Sequence, residues 1–448
     1  TMNFYSGGSL YMRTPVRNYQ LASISPPSFR AGCGGIDLFA GAGGMSLGFE
    51  QAGFDVAAAV EIDPVHCATH SFNFPHTATI CASVVDLSGD DIRRRASLGK
   101  QEIDVVFGGA PCQGFSLIGK RLLEDPRNLL VMQFVRLVQE LQPRYCVFEN
   151  VKGLTLGKHA RFLTELIEAL DLAGYNVLQP YRVLNAAEFG VPQRRERLFL
   201  LATRRGQMTP CYPQPIAQGV TVWEAIGDLP DADDFEQLLH QDTVRVRWGT
   251  DSMYARQLRG LARDDDDFSY ERVYDVGLLT GSMRTEHSEV SKQRFGMTPW
   301  GKSEPVSRFR KLDPAGLCNT LRAGTDSARG AFTSARPIHP FAERVITVRE
   351  AARLHSYPDW FRMHTTKWHG FRQVGNSVPP RLARAVAAQL LRAMELQPHR
   401  PAASVSTGDP ALLTMNMGEA AEYFGVSRHV IPQRLRRGVE DSATLPLW

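Results

Sequence analysis

Between Gly34 and Thr203, short apolar runs alternate with amphipathic stretches, and this alternation most narrows what the chain can fold into. "GIDLFA", "DVAAAV", "DVVFGG", "RYCVFEN" and "RLFLLAT" are brief and continuously apolar, as buried strands are. "GGMSLGFEQAGF", "LLVMQFVRLVQEL" and "ARFLTELIEALDLAGY" repeat apolar residues at helical spacing instead. Strand and helix in turn predict an α/β fold, a doubly wound and mostly parallel sheet. In such sheets ligands gather at the carboxyl ends of the strands. A glycine loop at 41–44 and a loop carrying Cys112 both fall there.

The first candidate site is "DLFAGAGGMSLGFEQAGF", a strand, a glycine turn and a helix. Gly41, Gly43 and Gly44 allow a ligand to approach the backbone closely at a helix N-terminus. The spacing departs from the dinucleotide fingerprint, since Ser46 occupies its last glycine position. Glu61, at the end of the next strand, is placed to accept hydrogen bonds from ribose hydroxyls. Loop and acid together point to adenosine without a required pyrophosphate. "GFSLIGKR" at 114–121 imitates a phosphate loop, but Arg121 stands where a magnesium-binding Ser or Thr belongs.

The second is Cys112 in "DVVFGGAPCQGFS". Pro111 and flanking glycines aim a thiol outward, and a thiol becomes a nucleophile as thiolate. Glu149 ends another strand in "FENV", and "PQRRERL" places Arg195 and Arg197 at alternating positions. In extended chain those two arginines share a face. A carboxyl group that donates to a ring nitrogen, with a guanidinium on an oxygen, suits the edge of a pyrimidine.

The ordered series "DLFAGAGG", "APCQGFS", "ENV", "QRRERL", "REAARLHSYPD" and "QVGNSVPP" resembles the bacterial-type DNA (cytosine-5) methyltransferases, over about Gly34 to Leu396. The resemblance implies a Rossmann-like, S-adenosylmethionine-dependent catalytic domain, with a smaller loop-rich target-recognition domain across a DNA cleft. Phe39, Gly41, Gly43 and Gly44 resemble the family's cofactor loop, with Pro111 also beside the cofactor. Glu61 resembles its ribose acid, Ile62 its adenine-stacking residue and Asp86 the acid near the adenine amino group. Asn376 and Val378 resemble cofactor contacts before the last helix. Cys112 would be the nucleophile, Glu149 the partner of cytosine N3, and Arg195 and Arg197 the pocket arginines. Ala110 replaces a common proline and Ser356 a common glycine.

The resemblance also implies double-stranded DNA as substrate, base flipping, S-adenosylhomocysteine as product and no metal. A cognate restriction endonuclease sharing the site and a monomeric state are expected. The runners-up are the same chemistry on tRNA and a DNA-binding regulator with a vestigial catalytic fold.

A further layout follows along the chain. Residues 1–33 form an expected flexible leader and 34–205 the catalytic domain. Residues 206–371, with the acidic run "RDDDDF", form the recognition domain, 372–396 a returning helix and 397–448 a linker and tail. "MGEAAEYFGVSRHVIPQRLRRG" at 417–438 resembles a helix-turn-helix, its second helix capped by Ser427. "HCATH" offers a histidine pair at helical spacing, with nothing nearby to make it a metal site. Seven scattered cysteines without a CxxC pair indicate neither zinc nor a disulfide framework. A net charge of +4 is compatible with nucleic acid. No apolar run reaches membrane-spanning length and no signal peptide opens the chain, so a cytoplasmic protein is expected.

Overall fold

A computed structural model describes residues 34–111, 129–157, 159–216, 219–324 and 336–431. Its main sheet contains β1 (Gly34–Leu38), β2 (Asp55–Glu61), β3 (Ala78–Cys81), β4 (Val105–Gly108), β5 (Tyr145–Val151), β6 (Tyr175–Val177), β7 (Arg182–Asn185) and β8 (Glu196–Arg204). The order is β3-β2-β1-β4-β5-β8, with β6 and β7 along the outer edge of β8. The first five strands pair in parallel. β8 turns antiparallel to β5, so Arg197 at its start pairs with Val151 at the end of β5. That reversal brings the amino end of one strand to the edge where the others end. The strand order also reverses between β1 and β4, the crevice where such sheets bind ligands.

Helices α1 (Gly44–Ala52), α2 (Pro64–Asn73), α3 (Gly89–Arg95), α4 (Leu129–Leu141) and α5 (His159–Leu172) connect these strands. Phe134 and Val138 of α4 and Phe162 and Leu166 of α5 bury one face of the sheet.

Beyond β8 come α6 (Val222–Ile226), β9 (Val244–Arg245), α7 (Met253–Leu258), β10 (Glu271–Val273), β11 (Leu278–Leu279) and α8 (Glu289–Met297). They are followed by α9 (Val348–Arg353), α10 (Lys367–Asn376), α11 (Pro380–Ala393), β12 (Ser404–Ser406) and α12 (Met417–Tyr423). Pro380 opens α11, where its missing N–H is harmless. α11 packs on α1 over the second sheet face, so closely that a Cβ on Gly48 would come 2.4 Å from Ala383 Cβ.

The loop-rich middle region is less separate than its composition suggests. Its Val222, Tyr254 and Val348 share one core with Leu47 and Phe74 of the sheet domain. The acidic run forms a strap across that domain. Asp264 lies 2.9 Å from Arg384 and 3.4 Å from Arg381 on α11. Phe268 N donates to Gln51 O at 2.7 Å. Arg272 grips Glu50 at the end of α1 through both guanidinium nitrogens, each at 2.8 Å.

The described part of the tail covers the first half of the expected helix-turn-helix. α12 forms as its periodicity predicts, but Ala420 packs with Leu412, Leu413 and Met415 against Val65, Ala68 and Phe72 of α2. β12 lies parallel to β10. Ser427 caps only a turn, its Oγ accepting from His429 N at 3.1 Å, and residues 428–431 are not helical. The rest of the expected second helix lies outside the described residues.

Candidate functional site

The glycine loop leaves β1 through left-handed backbone at Phe39 (φ 64°) and Gly41 (φ 57°). Such a conformation in a phenylalanine is strained and marks a loop held in place by its surroundings. A Cβ on Gly41 would meet nothing within 4 Å, whereas one on Gly43 would come 2.5 Å from the Phe74 ring. The loop is therefore open at Gly41 and closed behind Gly43. Glu61 ties it to β2, with Oε2 accepting from Gly41 N at 2.9 Å and Oε1 from Asp63 N at 2.8 Å. Ile62 is half-buried next to it, and Asp86 is exposed on the turn after β3.

Asn376 is exposed and Val378 buried in the turn joining α10 to α11. A Cβ on Gly44 would lie 2.6 Å from Val378 O, so this turn presses onto the glycine loop. All these positions line one sheet edge. A carboxylate for hydroxyls, an apolar surface at Ile62, an acid at Asp86 and an open glycine backbone fit an adenosyl group.

The second cluster lies where β4, β5 and β8 meet. Glu149 and Arg197 form an ion pair, Oε1 to Nε at 3.0 Å, and both side chains are largely buried. Burial raises the Glu149 carboxyl above its ordinary range, against the opposing influence of Arg197 and then Arg195. The chain leaving β4 runs directly against it. A Cβ on Gly109 would sit 2.4 Å from Glu149 Oε2, and Asn150 Nδ2 donates to Ala110 O at 3.1 Å. Pro111 follows, exposed. Cys112 and the "GFSLIGKR" stretch lie outside the described residues.

Arg195 departs from the expected pair of pocket arginines. Its side chain is wholly buried, donating to Leu321 O (2.8 Å), Gly375 O (2.8 Å) and Ser377 O (2.7 Å). Those bonds hold the start of β8 to the α10–α11 turn, and of the two arginines only Arg197 pairs with Glu149. Gln193, also fully buried, accepts from Leu321 N at 3.1 Å and reaches His355 Nδ1 at 3.0 Å.

Several residues here escaped the sequence reading. Ser46 Oγ donates to Oδ2 of the buried Asp37 carboxyl group at 2.6 Å and lies 3.1 Å from His70 Nε2. Burial pushes Asp37 up to about 8 and His70 down to about 3, so the chain beneath the glycine loop is uncharged near neutral pH. Ser46 stood out in the sequence only as a mismatch to the dinucleotide fingerprint. The two histidines of "HCATH" diverge: His70 joins Ser46, and His66 sits 3.8 Å from Asp63. Among the described residues no group of three or more His, Cys, Asp or Glu is placed to hold a metal ion. No described helix is long and apolar enough to cross a membrane.

A parallel sheet with one reversed strand, carrying an adenosyl-type site at its crevice, is the architecture of S-adenosylmethionine-dependent methyltransferases. The chain belongs to the C-5 cytosine-specific DNA methylase family, whose model matches residues 34–392. A second family model, the conjugative relaxosome accessory transposon protein, matches residues 1–47. The chain is 61% identical over 402 residues to the type II methyltransferase M.XorII of Xanthomonas oryzae pv. oryzae, spanning 90% of this chain and 95% of that one. It is 34% identical to the type II methyltransferase M1.HphI of Haemophilus parahaemolyticus, over 80% of this chain and 86% of the relative. A crystal structure described as a DNA modification methyltransferase encoded within a prophage (E. coli) superposes with a TM-score of 0.68 at 33% identity, covering 81% of this chain and 99% of that one. The chain is thus a DNA methyltransferase that uses S-adenosylmethionine.

Proposed function

We propose that the chain methylates C5 of one cytosine within a specific double-stranded DNA sequence, after the base is turned out of the helix. The observation that carries this reading is the buried Glu149–Arg197 pair with the Gly109–Pro111 backbone laid against it. A base stacked in a duplex cannot reach so enclosed a pair, so extrusion is required.

Gly41, Glu61, Ile62, Asp86 and Asn376 would hold S-adenosylmethionine, whose sulfonium would supply an electrophilic methyl group and leave as S-adenosylhomocysteine. Cytosine C5 is a poor nucleophile, and the protein's task is to enrich it. The Cys112 thiolate adds to C6, forming a C–S bond, while Glu149 gives its proton to N3 and Arg197 holds O2. The electron pair displaced toward C5 makes that carbon nucleophilic enough to form the new C–C bond. Loss of the C5 proton to a base expels the Cys112 thiolate and returns the N3 proton. Arg195 contributes by fixing β8, and with it Arg197, relative to the cofactor turn.

The part of the chain that reads the DNA sequence would lie within residues 206–371, with a cognate endonuclease cutting the same site. The bacterial type II relatives support that pairing and a cytoplasmic enzyme. The test is expression of wild type and Cys112→Ser in a host without cytosine methylation, followed by genome-wide mapping of 5-methylcytosine. Methylation at one recurring motif, lost in Cys112→Ser, is expected. Methylation confined to tRNA, or persisting in the variant, would overturn the proposal.

A further inference from the structure

Glu61 ends β2 and Asn376 ends α10, and one ion pair links the two elements. Asp63 follows the Glu61–Ile62 loop and caps α2, its Oδ1 accepting from Val65 N at 3.0 Å. Its other oxygen, Oδ2, receives Arg372 Nη1 at 3.0 Å. Arg372 stands one helical turn before Asn376 on α10, its guanidinium 5.3 Å from the Trp368 ring centre. Asp63 is buried, so its charge has little water to screen it. Its backbone N–H in turn holds Glu61 Oε1. A continuous path therefore runs from α10 through Arg372 and Asp63 to Glu61 and on to Gly41. His66, 3.8 Å from Asp63, is the other cationic candidate facing this carboxylate, and it belongs to the same helix. Arg372 is thus the strut that reaches across.

We propose that Arg372 is a positioning residue for S-adenosylmethionine: by holding Asp63 it sets the adenosine loop, 61–63, against the 376–378 turn. The inference rests on the reading of Glu61, Ile62 and Asn376 as the cofactor site. It separates cofactor affinity from chemistry, because neither Arg372 nor Asp63 approaches Glu149 or Arg197 in the contacts they make.

Calorimetric titration of the full chain with S-adenosylhomocysteine tests it. Arg372→Met is expected to weaken binding about tenfold, equivalent to about 1.4 kcal/mol. Arg372→Lys, which keeps the charge, recovers most of that loss. Asp63→Asn keeps the Oδ1 cap and approaches the link from the other side, so it weakens binding comparably. The double variant Asp63→Asn/Arg372→Met is no worse than either single one, since both break the same contact. In steady-state assays the KM for S-adenosylmethionine rises about tenfold, while kcat and the KM for DNA stay within about twofold. Unchanged affinity in Arg372→Met or Asp63→Asn, or an equal loss of affinity for DNA, would overturn the proposal. Wild type and Glu61→Ala are the controls. A wild type that binds no S-adenosylhomocysteine removes the reading of the cofactor site itself. If wild type binds, Glu61→Ala does not, and Arg372→Met binds fully, only the role of Arg372 fails.

Discussion

Arg197 Nε lies 3.0 Å from Glu149 Oε1, across two strands that run in opposite directions. The pair sets two opposing influences on one carboxyl group. Burial favours the neutral acid and the guanidinium favours the carboxylate, and burial prevails. An acid that holds its proton to higher pH than an ordinary carboxyl is better placed to give one to a ring nitrogen.

That balance predicts a pH dependence with a definite sign. Glu149 is competent while protonated, so the rate of methyl transfer falls as pH rises past its raised pKa. Arg197→Met removes the main lowering influence and moves this alkaline limb to higher pH. Glu149→Gln abolishes the limb and lowers kcat by about 10²–10⁴-fold, the usual weight of a general acid. Single-turnover rates measured across pH check all three outcomes.

Asp37 predicts a pH effect on stability instead. Its folded pKa of about 8 exceeds the ordinary 3.8, so between those values the native state holds a proton that the unfolded chain releases. Stability therefore falls as pH rises through this window, by at most about 1.4 kcal/mol per pH unit. Asp37→Asn keeps an acceptor for Ser46 and should flatten the decline. Urea midpoints at several pH values between 4 and 8.5, for wild type and variant, read the difference.

Arg195 and Arg197 should separate by assay. Arg195→Met strands the buried carbonyls of Leu321, Gly375 and Ser377 and is expected to cost about 1–3 kcal/mol of stability for each that finds no new donor. Arg197→Met, with its pair at the edge of the site, should lose activity before stability. Urea unfolding alongside methylation of duplex DNA distinguishes the two patterns.

Two glycines of one loop should respond unequally to alanine. Gly41→Ala meets no neighbour and pays only for left-handed backbone, about 1–2 kcal/mol. Gly43→Ala adds a collision with Phe74 and His70, for about 2–5 kcal/mol in all. Thermal unfolding of the two variants reads the gap.

What was legible in the sequence was local. Short apolar runs marked the strands, and the period of "LLVMQFVRLVQEL" matched α4 from end to end. Glu61 and Glu149 could be placed because each lies at or near the carboxyl end of a strand. The direction of β8 could not be read, since an apolar run has no polarity. The two arginines of "QRRERL" share a face in extended chain, but which one meets Glu149 depends on carbonyls at 321, 375 and 377. Ser356 looked like a mere departure from glycine, and its φ of 66° is the physical reason glycine is common there. The amphipathic face of α12 was visible, but the surface that covers it lies on α2, some 350 residues earlier. The acidic run was read as part of a separate, loop-rich domain because its arginine partners sit on α11.

That strap bears on any attempt to give the enzyme a new target sequence by exchanging modules with a relative. A cassette cut at 206 and 371 would carry off Tyr270 and Arg272, leaving Glu50 and Asp55 without the groups they now hold. It would also strip β12 of its only described strand partner. Chimaeras joined after Tyr274 and before α9 would leave these anchors with the host, provided the incoming segment supplies β9 with the strand that β11 now gives it.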